Sequence, residues 1–214
     1  RMTSFLVSLL TAAAKQVKVN FVKQTRSTFA VQEQLLRSLL LAHQDTEYGR
    51  QYGLRNIKTI EQFQERIPIL PYSSYEVYTD RIAKGEANIL TPEPVVYMTL
   101  TSGSTGKKKM IPTTRRSQNI TRQATLTSIG FLAEALQKRK LKFGKMLITN
   151  STQLWGRTSG GIEYGPSSAG VLRMDKRLYK QFFAHPYETL QIRNRIRRNE
   201  EAAGREDVMR AGSA

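Results

Sequence analysis

The 214-residue sequence contains no cysteine, only two histidines (His43 and His185) and one tryptophan. The lack of cysteine excludes disulfides, thiolate metal sites and a cysteine nucleophile. It also fits a reducing compartment, so a cytoplasmic location is the expectation. Two histidines are too few for a histidine-rich metal site, and no protein-held metal is expected. Acids are scarce as well: 17 Asp and Glu stand against 34 Lys and Arg, for a net charge of +17. Such an excess attracts polyanions, whether nucleic acid, an acidic membrane or phosphorylated small molecules. The charge is spread over clusters at 107–109, 115–116, 138–142 and 193–198, without a zinc-finger or RNA-binding signature beside it. No uninterrupted run approaches the roughly 18 apolar residues of a membrane span, so no span is expected. The opening RMTSFLVSLLTAAAK has the outline of a secretory signal. Its apolar stretch is short, however, and helical character continues past it through Val17, Val19 and Val22.

The composition supports a folded core, with 39% of residues hydrophobic. Residues 3–24 and 28–44 read as helices, the second carrying Val31, Leu35, Leu36, Leu39 and Leu40 on one apolar face. HQDTEYGRQYGL at 43–54 reads as a polar connection. Thr59 and Gln62 have capping-box spacing for a short helix, and Ser73 with Glu76 repeats the pattern before YEVYTDRIAKG, where Gly85 is the expected stop. Pro68 and Pro71 bracket an extended segment. Val95–Thr101 reads as a strand, 115–139 as a long helix, and KMLITN at 145–150 as another strand. That order argues for α/β layers. The stretch 156–170 is rich in glycine and serine and reads as a loop. Tyr72, Tyr75 and Tyr78 recur at a spacing that suits one helix face packed on a sheet.

Between the strand and the long helix lies LTSGSTGKKKMIPTT. Gly103 and Gly106 permit a backbone whose N–H groups converge on one point, as a phosphate loop requires. Thr101, Ser102, Ser104 and Thr105 add hydroxyl donors, Lys107–Lys109 add positive charge, and a directly following helix would add the positive end of its dipole. A Walker loop is excluded, because only Ser104 and Thr105 separate Gly103 from Gly106-Lys107. The dinucleotide GxGxxG pattern fails too, since the loop has only two glycines.

The string does resemble the hydroxyl-glycine signature of adenylate-forming enzymes, TSG-[ST]-TG-x-x-K, with TSGSTG at 101–106 and Lys109 in place. Lys108 stands where acyl-CoA synthetases usually carry proline. Together with HQDTEYGRQYGL and ERIPILPYSSYEVYTDRIAKGE at 65–86, it is similar to the auxin-responsive acyl-acid amido synthetase family, the Gretchen Hagen enzymes. The resemblance runs from about Gln34 to Ile192. The loop lacks one residue that plant members have, which looks more like a bacterial or otherwise divergent member.

That resemblance implies an α/β fold: the N-terminal part of an adenylate-forming large domain, with a helical N-terminus followed by mixed strands and helices. It implies a ligase that uses ATP with Mg²⁺ to activate a carboxylic acid as an acyl-adenylate, which an amino acid then attacks. It also implies that Thr101, Ser102, Gly103, Ser104, Thr105, Gly106 and Lys109 hold the nucleotide phosphates. Lys107 and Lys108 have an equal claim to be a solvated rim. Family members are several hundred residues long, with a later acidic adenine- and metal-binding motif and a C-terminal catalytic lysine. The expectation is therefore that residues 1–192 are an incomplete portion of the domain, inactive alone. The basic tail 193–214 has few large apolar residues and reads as non-native or frameshifted. The alternative reading is a non-enzymatic binder of RNA, DNA or acidic membrane. No catalytic residue is assigned. Trp155 and Arg157 are weighed as an acyl-pocket wall against ordinary packing, which is the preferred reading, Glu163 and Asp175 as isolated acids, and His185 as structural.

Overall fold

A computed structural model describes residues 2–101, 109–147, 152–168, 179–180 and 182–191. The chain opens with α1 (Met2–Gln24), a 3₁₀ turn (Thr25–Ser27) and α2 (Thr28–His43), close to the bounds expected from periodicity. Among the described residues one helical stretch, Phe5–His43, is long and apolar enough by length and composition to cross a membrane. The expectation of no span rested on uninterrupted apolar runs, a stricter criterion that this stretch, broken by Lys15, Lys18 and Lys23, does not meet.

The segment 43–54, expected as a loop, contains α3 (Glu47–Gln51). Thr46 caps it: the buried Oγ accepts from Gly49 N–H at 2.9 Å and donates to His43 C=O at 2.7 Å. After a 3₁₀ turn (Leu54–Asn56) comes α4 (Ile60–Arg66), capped by Thr59 as its spacing predicts. The returning Gln62 side chain accepts from Lys58 N–H at 2.8 Å, one residue before the cap. Ser73 makes no second capping box. Tyr72–Tyr75 forms a 3₁₀ turn instead, and α5 (Glu76–Ala83) continues from it without a side-chain cap. Gly85 ends that helix with φ +100°, a conformation that costs a residue with a Cβ.

The principal correction concerns the segment beyond the glycine loop. β1 (Val95–Leu100) pairs antiparallel with β2 (Met110–Thr114), and only then does α6 (Arg115–Lys138) begin. The loop therefore connects two paired strands rather than a strand and a helix, and β2 stands between it and α6 in the chain. Ile111, Thr113 and Thr114 are β-branched and favour the extended chain. The helix start is set by a reciprocal pair: Ser117 N–H donates to Thr114 Oγ at 3.2 Å and Thr114 N–H to Ser117 Oγ at 2.9 Å. The stretch expected as a loop at 156–170 supplies β3 (Gly156–Arg157) and β4 (Glu163–Gly165), and the sheet runs β2-β1-β4-β3. For KMLITN, Met146 forms a single parallel bridge with Phe183. Residues 148–150 lie outside the described residues, as do 192–214, including the tail.

The chain divides into two units. In the unit of Asn20–Ile120 and Trp155–Tyr164, Leu40, Leu54 and Ile57 form one buried cluster, joined by Leu36 and Phe63. A second cluster of Ile82, Ile89 and Met98 packs α5 on the sheet, with Val95, Met110, Ile162 and Tyr164 around it. Successive β1 residues Tyr97 and Met98 are both buried, so both faces of this central strand are covered. In the unit of Arg1–Val19, Thr121–Leu154 and Gly165–Ala214, Tyr179, Phe182, Phe183 and Leu190 make the core, with Leu6, Val7 and Leu10 of α1 against it. Lys18 pairs with Glu134, whose carboxyl this contact, with help from Lys138, holds down at about 2.

Candidate functional site

The hairpin closes at its neck, where Thr101 N–H donates to Lys109 C=O at 3.1 Å. Of the residues expected to hold phosphates, Thr101 and Lys109 are thus brought together through the backbone. Ser102, Gly103, Ser104, Thr105 and Gly106 lie outside the described residues, as do Lys107 and Lys108. Across the strands behind the neck, Thr99 and Thr113 join hydroxyls at 3.0 Å. The Lys109 ammonium lies 5.7 Å from the centre of the Tyr72 ring.

Sequence reasoning missed Tyr72, having grouped it with Tyr75 and Tyr78 on one helix face. The structure separates them. Tyr75 and Tyr78 meet Tyr48, with ring centres 6.0 and 5.9 Å from it. Burial is the main reason that the Tyr48 hydroxyl is pushed well above the usual phenol range. Tyr72 instead turns to β2, where Met110 N–H donates to its hydroxyl at 2.8 Å and the hydroxyl donates to Met110 C=O at 3.0 Å. The available signal was Pro71, which holds an extended backbone at the entrance of the 3₁₀ turn and so sets Tyr72 apart from α5.

The base of the same unit is held by Arg81, whose guanidinium grips both oxygens of Glu47 at 2.7 and 2.9 Å and reaches Glu86 at 2.8 Å. The hydrogen bonds to Arg81 lower the Glu47 carboxyl. Glu163 is not isolated: it pairs with Arg157 at 2.8 Å across β3 and β4. Trp155 is 44% exposed beside it. His185 is buried, with Nε2 2.7 Å from the Tyr179 hydroxyl, and burial lowers its pKa, in keeping with a structural part. Asp175 lies outside the described residues. Among the described residues no group of three or more His, Asp or Glu could hold a metal ion.

Residues 17–199 match the GH3 family N-terminal domain. The chain is 30% identical over 165 residues to the jasmonoyl–L-amino acid synthetase JAR6 of Nicotiana attenuata, covering 74% of this chain and 27% of that protein. It is 26% identical over 186 residues to the indole-3-acetic acid-amido synthetase GH3.2 of Arabidopsis thaliana, covering 85% of this chain and 33% of the relative. The chain thus spans about a quarter to a third of the length of these relatives. Among solved structures, an acyl acid amido synthetase, GH3.15, superposes with a TM-score of 0.62 at 21% identity, over 86% of this chain and 30% of that one. A second structure, AtGH3.15 in complex with 2,4-DB, gives 0.58 at 22% identity, over 85% and 28%. At such identities the likeness establishes the fold: a helical N-terminus with a small mixed sheet, as in the N-terminal part of those enzymes. With the family domain matched over most of its length, the chain belongs to the GH3 family of acyl-acid amido synthetases.

Proposed function

We propose that this chain provides the phosphate-binding part of an ATP-dependent ligase that joins a carboxylic acid to an amino acid. The observation that carries the reading is the hairpin. TSGSTG and its lysine lie between two strands whose neck is closed by Thr101 and Lys109, inside the region matched to the GH3 domain. In the reaction, a carboxylate oxygen attacks the α-phosphorus of ATP and pyrophosphate leaves. The amino nitrogen then attacks the acyl carbon, losing a proton as the C–N bond forms and AMP departs. Both leaving groups are anionic, and fixed N–H and hydroxyl donors stabilise developing charge without reorganising. Ser102, Ser104, Thr105 and Thr101 supply hydroxyls in this reading, Gly103 and Gly106 allow close backbone approach, and Lys109 neutralises phosphate. The described acids do not form a set that would hold Mg²⁺, and no step is assigned to it; by family resemblance it enters with ATP.

Equilibrium binding of ATP to the 214-residue chain is the test. Binding in the micromolar to millimolar range, weakened about tenfold or more in Ser102→Ala with Ser104→Ala, is expected from the loss of two phosphate donors. A parent chain that fails to bind ATP sinks the reading. Equal affinity in parent and variant would remove the loop from it.

A further inference from the structure

The outer edge of the loop's neck is closed by one side chain. Just before β2, Lys109 turns its carbonyl toward the end of β1, where Thr101 N–H meets it. Alternation along the strand then aims both backbone polar groups of Met110 the other way, and the sheet order places β2 at the edge. Edge groups of this kind ordinarily go to water or invite another strand. Here the Tyr72 hydroxyl takes both, accepting from Met110 N–H at 2.8 Å and donating to Met110 C=O at 3.0 Å. The neighbouring residue is held by the same side chain, since the Lys109 ammonium lies over the Tyr72 ring.

Tyr72 is itself anchored. Its hydroxyl is 3.3 Å from the Oγ of Thr79, a buried residue of α5 that donates to Glu76 C=O at 3.1 Å. One turn further along α5, Ile82 packs with Met98 of β1. Tyr72 and Met110 are 38 positions apart, so the contact ties the exit of the loop to an element distant in the sequence. Pro112 fits the same arrangement: two residues beyond Met110, its missing N–H falls on the outward side, where no ladder bond is lost.

We propose that Tyr72 is a positioning residue for the phosphate loop. Its hydroxyl sets where the loop's last strand begins, and its ring keeps Lys109 at the neck until phosphate takes the ammonium. The contact with the ring is weak enough to be exchanged for a phosphate oxygen. Tyr72 touches no nucleotide in this role; it acts through Met110 and Lys109. The proposal rests on the phosphate-loop reading above.

The experiment compares the 214-residue chain with Tyr72→Phe and Tyr72→Leu, using ATP with Mg²⁺ and inorganic pyrophosphate as probes. Tyr72→Phe keeps the ring and removes the hydroxyl, so both probes should bind about three- to tenfold more weakly. Deuterium exchange at the Met110 amide should accelerate about tenfold, while exchange at Ile57 and the melting temperature stay near the parent. Tyr72→Leu removes both contacts and should lose more, so the phenylalanine variant rescues part of the loss. Parent-like affinity in Tyr72→Phe overturns the proposal, whatever the Met110 exchange shows. It is equally overturned if the variants lose binding only in proportion to their unfolded fraction. A parent that binds neither probe defeats the phosphate-loop reading first, and that failure is distinguishable because no variant is needed to see it.

Discussion

The letters Thr-Ser-Gly occur twice in this chain, at 101–103 and 158–160, and each copy starts the loop of a hairpin in the same sheet. The second loop turns its polar groups inward. Thr158 N–H donates to Ile162 C=O at 2.8 Å and Gly161 N–H to Thr158 C=O at 2.9 Å, while Ile162 N–H reaches Thr158 Oγ at 3.2 Å. Gly160 N–H donates to Ala83 C=O at 2.9 Å. Its missing side chain lets it meet Gly85, whose nitrogen would be 2.4 Å from a Cβ. These donors are already taken up by the fold. The first loop is longer and carries lysines, and its neck is closed by a backbone bond and an external tyrosine. A glycine-hydroxyl string is therefore not a phosphate loop by its letters. A ligand needs donors the fold has not engaged, and cations beside them.

Substitutions in the two hairpins should separate these roles. Gly160→Val should have the largest effect, about 3 kcal/mol of stability, because the added atoms press on the backbone of residues 83–85. Urea unfolding measures it, and a loss below about 1 kcal/mol would contradict the close approach. Next comes Ser102→Ala with Ser104→Ala, expected to weaken ATP about tenfold, equivalent to about 1.4 kcal/mol, while leaving the melting temperature unchanged. If that double change instead lowers stability as Gly160→Val does, the two loops do the same job and the comparison fails. Gly161→Ala should cost about 1–2 kcal/mol from its φ of +82° alone, since nothing lies within 4 Å of the new Cβ.

The smallest effect is electrostatic and tests the support under the short hairpin, where Arg81 binds Glu47 and Glu86 close to Gly85. The Arg81 contact lowers the Glu47 pKa in the folded chain below its unfolded value. Its contribution is therefore complete above the unfolded carboxylate value, near 4.3, and is lost as the pH falls through the lower folded value. The parent's urea midpoint should drop more steeply from about pH 5 to pH 3 than that of Glu47→Gln. Identical slopes would show that the pair contributes nothing.

Much of the fold was legible along the chain because its causes are local. The bounds of α1, α2 and α6, the Thr59 cap and the Gly85 stop all arise from interactions within a turn or two of helix. The family resemblance was equally local, since it rests on strings of residues in order. What tertiary structure decided involves residues far apart. β2 exists because Met110–Thr114 pairs with β1, whereas in isolation the segment reads only as the run before a helix. The glycine-rich 156–165 stretch became two strands for the same reason, with Glu163 and Arg157 meeting across them. Tyr72, Tyr75 and Tyr78 share a helical spacing. A 3₁₀ turn nevertheless sent the first to Met110 and left the others with Tyr48. Spacing along a helix constrains neighbours three or four residues apart, whereas edge pairing and side-chain tethers depend on which element arrives beside them. So the sequence alone determined that this chain carries the hydroxyl-glycine string of the adenylate-forming enzymes on a GH3 framework. Only the folded chain determined that the strands on either side of the string pair with each other, with Tyr72 bonded to the outer edge at Met110.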